Sequence, residues 1–253
     1  MAMDNLSAFK ENIFSFTAML GRTPGGKLLR LPSGSFAALS GLPFAGENYA
    51  VFKERATPGE VSDALDFFEW RGSPFIVPQF PDLDRAALDF FASSGLSVKK
   101  KYTAMSLEYS KDYRRNMDAE IVCGQMGAIE WGTTVWSGFG GKGSAPQSYL
   151  DFAQFLTARW ENRLYAMRED GRTIACGMLH KSENAYGVYY FTTVPEKRRK
   201  GLARRMMETL AATAFETRSS LVLLSTKEGL PFYLDFGFTP LADIPIYSSS
   251  DDI

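Results

Sequence analysis

Six basic residues crowd the place where a helix begins. They are Lys197, Arg198, Arg199, Lys200, Arg204 and Arg205, within Val194-Pro-Glu-Lys-Arg-Arg-Lys-Gly-Leu-Ala-Arg-Arg-Met-Met207. Upstream, Gly187 to Val194 is rich in aromatic and β-branched residues and reads as a strand, which Pro195 ends by lacking a donor. Downstream, Leu202, Met206, Leu210 and Ala214 recur every fourth residue with Ala203 and Met207 beside them, the apolar stripe of a packed helix. The order is therefore strand, glycine-containing loop, helix. Cations at a helix N-terminus face the positive end of the macrodipole, which is unfavourable unless side chains and free backbone amides share an anion. The pattern predicts a phosphate site.

Arg198-Arg-Lys-Gly-Leu-Ala203 fits R/Q-x-x-G-x-G/A, and on these residues the chain resembles the GNAT superfamily of acyl-CoA-dependent N-acyltransferases. The resemblance implies that backbone amides from Arg199 to Arg204 hold the pyrophosphate of coenzyme A, with Arg198, Lys200, Gly201, Leu202 and Ala203 in the binding loop. It also implies that the strand end at Thr192, Thr193 and Val194 lines the acyl thioester. Gly201 would permit close approach, and small Ala203 would let the cofactor lie against the helix. A second landmark follows: Phe232-Tyr-Leu-Asp-Phe-Gly-Phe238 resembles the family's F-Y-x-x-x-G-F segment, with Ser220 to Ser225 as the strand before it. The resemblance places Tyr233 where many members keep a tyrosine that protonates the departing coenzyme A thiolate.

The organisation repeats near the N-terminus. Phe90-Phe-Ala-Ser-Ser-Gly-Leu96 has the spacing of Phe232 to Phe238, and each copy precedes a strand-like segment. Around the first copy we expect a helix over 4–20, strands over 27–31, 35–39 and 48–52, helices over 58–70 and 83–93, and strands over 75–77 and 99–109. Around the second we expect a strand over 118–123, helices over 127–136 and 147–159, and a meander over 163–167, 173–180 and 187–194. Its turns fall at Glu169-Asp-Gly171 and Ser182-Glu-Asn184. Such alternation is an α/β fold, a mixed sheet covered by helices. With a boundary in the charged stretch Ser110 to Met117, the expected organisation is two tandem GNAT-like domains, 1–112 and 113–253. The N-terminal one is degenerate: Lys53 to Gly59 lacks the R-x-x-G-x-A spacing and the basic cluster, and the tyrosine position is Phe91.

Other chemistries are disfavoured. Lys plus Arg number 28 against 29 acidic residues, so the basic cluster is local, whereas a nucleic-acid binder shows a broader basic face. No apolar run approaches the length of a membrane span, and the N-terminus, acidic at Asp4 and Glu11, lacks a signal-peptide pattern. Cys123 and Cys176 lack C-x-x-C spacing and His180 is the sole histidine, so no metal site is expected; both thiols read as unpaired and buried in a reducing cytoplasm. Gly21 to Lys27 satisfies G-x-x-x-x-G-K, but Leu28 replaces the magnesium-binding hydroxyl and a strand follows where a helix is required. Gly138 to Ser144 reads as a flexible loop beside an acceptor site.

Direct transfer from acetyl-CoA to an amine needs the amine neutral. The family's strand glutamate aligns with Gly187, so the usual base is missing. His180 stands opposite Gly187 if the hairpin centres on Glu183 and Asn184, and is one candidate base; Glu130 is another. Tyr189, Tyr190, Trp131, Trp136 and Phe139 suggest an aromatic pocket, although such residues are more often core. Three readings follow: an N-acetyltransferase acting on the primary amine of a small molecule or peptide, a coenzyme A-binding pseudoenzyme or regulatory module, or an aminoacyl or acyl transferase resembling the tandem-GNAT peptidoglycan-building enzymes.

Overall fold

The computed structural model describes residues 4–110 and 119–250. The first half contains α1 (Asn5–Leu20), β1 (Lys27–Arg30), β2 (Phe36–Leu39), β3 (Tyr49–Val51), α2 (Pro58–Glu69), β4 (Val77–Pro78), α3 (Arg85–Ser93) and β5 (Ser97–Leu107). The second contains β6 (Ala119–Ile121), α4 (Gly124–Gly138), α5 (Gln147–Thr157), β7 (Asn162–Glu169), β8 (Arg172–Lys181), β9 (Ala185–Thr193), α6 (Leu202–Phe215), β10 (Ser220–Ser225), α7 (Leu230–Phe236) and β11 (Thr239–Ser248). The mixed α/β class agrees with the sequence reading.

One unit gathers residues 4–12, 106–223 and 234–239, as far as they are described. Its strands run in the order β10-β9-β8-β7-β6. The pairs β6/β7, β7/β8 and β8/β9 are antiparallel. The hairpin between β7 and β8 closes through Asp170 and Gly171, both at positive φ, the two-residue turn whose twist matches the strands. β9 and β10 are parallel and connected through α6, as a parallel pair requires. Helices cover both faces. The Cys176 thiol points at the Trp131 carbonyl of α4, 3.8 Å away, whereas a Cβ on neighbouring Gly177 would lie 3.2 Å from Leu210 and 3.5 Å from Met206 of α6. Alternate residues of one strand thus face opposite helices.

The other unit gathers residues 13–105, 224–233 and 240–250. It holds the antiparallel sheet β1-β2-β3 and the strand order β4-β11-β5. Phe52, Phe68, Phe75 and Phe91 fill its core with Val61 and Leu65 of α2. Phe68 and Phe75 stack with ring centroids 4.3 Å apart.

Several expectations shift in detail. The strand expected over 75–77 is Val77–Pro78, with Ile76 bridging Tyr49; a proline is tolerated there because β4 is the terminal strand of its order. Helix α4 starts earlier than read, at Gly124. Cys123, at the N-cap position of α4, is exposed rather than buried; Cys176 is buried as expected. The boundary expected over 110–117 falls almost wholly outside the described residues.

Candidate anion and acyl site

The chain leaves β9 through Val194, makes a single 3-10 turn over Pro195–Lys197, and enters α6 by way of Arg198 to Gly201. Arg199 and Gly201 both take the left-handed conformation, at φ 58° and 78°. A non-glycine there is uncommon. A Cβ on Gly201 would meet nothing within 4 Å, so the space above the helix start is open. The amides of Leu202, Ala203 and Arg204 lie in the first turn of α6 and have no acceptor within the helix. Leu202 is buried, Ala203 half-buried and Gly201 exposed.

Five of the six basic residues divide by role. Lys197 pairs with Glu169 at the β7–β8 hairpin. Arg198 donates from Nε to the Thr193 carbonyl at 3.0 Å and from Nη2 to the Gly138 carbonyl at 2.7 Å. Arg204 pairs with Asp235 and lies over the Phe236 ring. Among the described residues, Arg199 and Lys200 are exposed and have no protein partner, leaving two cations and a row of open amides for an anion.

Before the loop, β9 is irregular. Cys176 faces Thr192 while Met178 faces Tyr189, so Tyr190 and Phe191 together oppose Gly177 in a bulge. Tyr190 sits at φ 49°. Bulges recur beside active sites because they re-aim side chains. The Tyr190 ring meets Trp131 of α4 edge-on at 5.6 Å and Phe152 of α5 at 6.1 Å. Trp131 is 1% exposed, so this aromatic set is core on the α4 side of the sheet. The parallel register with β10 covers Ala185, Tyr186 and Gly187 only, and the bulge lies beyond it. Thr192 and Thr193 are half-buried and Val194 is buried, its amide bonded to the Ile174 carbonyl.

His180 does stand opposite Gly187, as the turn position implied. Its side chain is 1% exposed and its Nδ1 lies 2.8 Å from Asn162 Oδ1. Asn162 gives its amide protons to the Leu156 carbonyl, so the acceptor on Asn162 receives the imidazole Nδ1–H. Burial pushes the imidazole down to about 4 against the opposing pull of Glu161, keeping the ring neutral at pH 7. Glu130 is paired with Arg168 at 2.7 Å.

Sequence reasoning missed Asn12. It is fully buried and donates from Nδ2 to the His180 carbonyl, Ser182 Oγ and the Ala185 carbonyl at 3.0, 3.1 and 3.3 Å. The Tyr189 hydroxyl donates to its Oδ1 at 2.9 Å. A Cβ on Gly187 would stand 2.0 Å from that oxygen. The position aligned with the family's carboxylate is thus filled from α1, and no side chain fits there. The one available signal was a polar residue in the apolar stripe of α1, between Phe9, Ile13 and Phe16.

Tyr233 lies in the other unit, on α7. It is half-buried against Phe232, and burial pushes its phenol above the ordinary tyrosine range. The two repeat segments share local geometry: helix, then Gly95 or Gly237 at positive φ, then buried Leu96 or Phe238, then strand. The Lys53 to Gly59 segment differs from the basic loop. Thr57 caps α2, and Glu60 accepts from the Ser33 and Thr57 amides at 2.7 and 2.8 Å. A carboxylate of the chain itself thus occupies the helix start.

Residues 160–240 match the family model described as the acetyltransferase (GNAT) domain. No match is found among curated protein sequences. Solved structures share the fold over nearly the whole chain. A GCN5-related N-acetyltransferase from Kribbella flavida is 12% identical, with 98% of this chain and 96% of that one covered at a TM-score of 0.69. A GCN5-related N-acetyltransferase-like protein from Streptococcus suis is 13% identical, over 96% and 99% of the two chains at 0.58. A tandem GNAT protein from the clavulanic acid biosynthesis pathway is 12% identical, over 98% and 96% at 0.59.

Proposed function

We propose that this protein is an N-acyltransferase that carries an acetyl group directly from acetyl-CoA to the primary amine of a small molecule or peptide. The observation that carries this reading is the start of α6: open first-turn amides, left-handed Arg199 and Gly201, clear space above the glycine, and two unpaired cations. That set suits a pyrophosphate. Under this reading the Arg198 to Arg204 loop, with Lys200, Gly201, Leu202 and Ala203, binds the coenzyme A phosphates, and Thr192, Thr193 and Val194 flank the thioester arm. The match over 160–240 to the GNAT domain supports the assignment.

Tyr233, whose phenol is protonated at neutral pH, is the acid that we assign to the departing thiolate. For the base, a ring with a pKa of about 4 takes a proton from an ammonium poorly, so His180 serves best by holding the hairpin while the amine binds already neutral. We further propose that the chain is a pair of tandem domains, 1–112 and 113–253, with only the second taking coenzyme A. The match to a tandem protein and the paired helix–glycine–strand segments support this.

The test is acetyl-CoA consumption against a panel of amines, amino acids, polyamines and aminoglycosides, with coenzyme A affinity measured by calorimetry. Tyr233→Phe should leave affinity nearly unchanged and lower turnover roughly 10²-fold. A second reading, a coenzyme A-binding protein without turnover, draws support from Asn12 filling the carboxylate position at Gly187. Tight binding with no consumption of thioester by any amine would favour it.

A further inference from the structure

The motif casts Arg198 as a charge for the phosphates, but its bonds run elsewhere. Nε donates to the Thr193 carbonyl at the end of β9, and Nη2 to the Gly138 carbonyl at the last residue of α4. A guanidinium there also sits at the negative end of the α4 dipole. Gly138 is fastened from its other side: a Cβ on it would lie 2.3 Å from Thr192 Oγ1 and 2.6 Å from Thr192 Cγ2. The next residues wrap back onto the helix. The Phe139, Gly140 and Gly141 amides donate to the Val135, Ser137 and Trp136 carbonyls, and a Cβ on Gly141 would strike the Trp136 ring at 2.3 Å.

We propose that Arg198 is a positioning residue which, with Gly138 and Thr192, joins the anion loop to the end of α4, so that loop and glycine-rich turn behave as one body. The inference rests on the acyltransferase reading for its kinetic consequence. Coenzyme A, by ordering the loop, then also orders the turn over Phe139, Gly140 and Gly141. Lysine at 198 would keep the charge but lose the planar fork that reaches two carbonyls at once. Alanine at 138 would keep every charge and push the α4 end off Thr192.

The experiment compares the whole protein with Arg198→Lys, Gly138→Ala and the double variant, reading hydrogen exchange at the Phe139 to Gly141 amides and coenzyme A affinity. Each single change should speed exchange at those amides about tenfold or more and weaken coenzyme A to a similar degree. The double variant should be little worse than either, since both break one joint. Wild-type exchange at 139–141 in Arg198→Lys would overturn the proposal, and so would additive losses in the double variant. Should Gly138→Ala fail to fold, Arg198→Gln takes its place: its single amide nitrogen reaches no further than the guanidinium Nε and cannot bond Gly138, so exchange at 139–141 should rise about tenfold or more, and wild-type exchange there would overturn the joint. A wild-type protein that binds no coenzyme A would end the functional reading, while the exchange comparison would still decide the joint.

Discussion

The close approach of Asn12 to Gly187 can be broken from either side, and the two breaks should not add. Asn12→Ala removes four hydrogen bonds at a fully buried position. The Ala185 carbonyl keeps the Ser182 amide and hydroxyl as donors, so the loss falls on the His180 carbonyl and the Tyr189 hydroxyl. At about 1 kcal/mol per bond, with the Ala185 carbonyl compensated, the cost is about 3 kcal/mol. Gly187→Ala places a methyl 2.0 Å from Asn12 Oδ1 and 2.5 Å from Tyr189 Cε2, an overpacking that costs about 2 kcal/mol. In the double variant the first obstacle is gone and the Tyr189 ring, released from Asn12, can move aside. Its total should stay near about 3 kcal/mol instead of about 5, a coupling of about 2 kcal/mol. Urea unfolding at pH 7, followed by circular dichroism and by tryptophan fluorescence, measures all four corners of the cycle. Additive losses, within about 0.5 kcal/mol, would refute the claim that Asn12 is what closes the Gly187 position.

Four further outcomes are expected. Because His180 titrates near 4 folded and near 6.5 in the unfolded chain, the unfolded state binds more protons between these values; stability should fall by about 2 kcal/mol from pH 7 to pH 5, a loss that His180→Gln removes in paired denaturation curves. Gly201→Val forces a β-branched residue to φ 78° and should weaken coenzyme A at least about tenfold by calorimetry, an unchanged affinity in the folded variant sinking the loop assignment. Burial pushes the Glu60 carboxyl up, but hydrogen bonds from Ser33 and Thr57 more than offset this and hold it below its ordinary range. Its contribution is therefore present at neutral pH and lost in acid, and Glu60→Gln should cost about 1–2 kcal/mol at pH 7 and less at pH 3. One coenzyme A should bind per chain and slow exchange in 199–204, not in 53–59; a stoichiometry of two would show that the Glu60-capped helix start also takes an anion.

What the sequence made legible was local. The strand, loop and helix around Arg198, the two hairpin turns, and the pairing of His180 with Gly187 all follow from periodicity and turn chemistry over a few residues. What it hid was either a contact across a long span or a departure from a rule. Asn12 reaches a hairpin 168 residues away, and no spacing within α1 announces the partner. Tyr190 is a good strand former that adopts φ 49° because β8 and β9 differ in length by one residue at Gly177. Arg198 matches a motif position whose usual reading is charge, yet its geometry is that of a clamp between carbonyls. Composition could not separate these roles.

The bulge at Tyr190 also sets a parity. In an unbroken strand, Tyr189 and Thr192 are three residues apart and would point to opposite sides of the sheet. Their partners Met178 and Cys176 are two apart and share a side, so the extra residue brings Tyr189 and Thr192 to that side together. Everything downstream is counted from that reset: Thr192 meets Gly138 of α4, and Arg198 finds the end of that helix. Straightening β9 with residue 190 retained would leave every side chain of the loop intact while moving Thr192 opposite Ala175 and turning it towards α6. The order of residues in the motif therefore matters less than whether the count before it is odd or even.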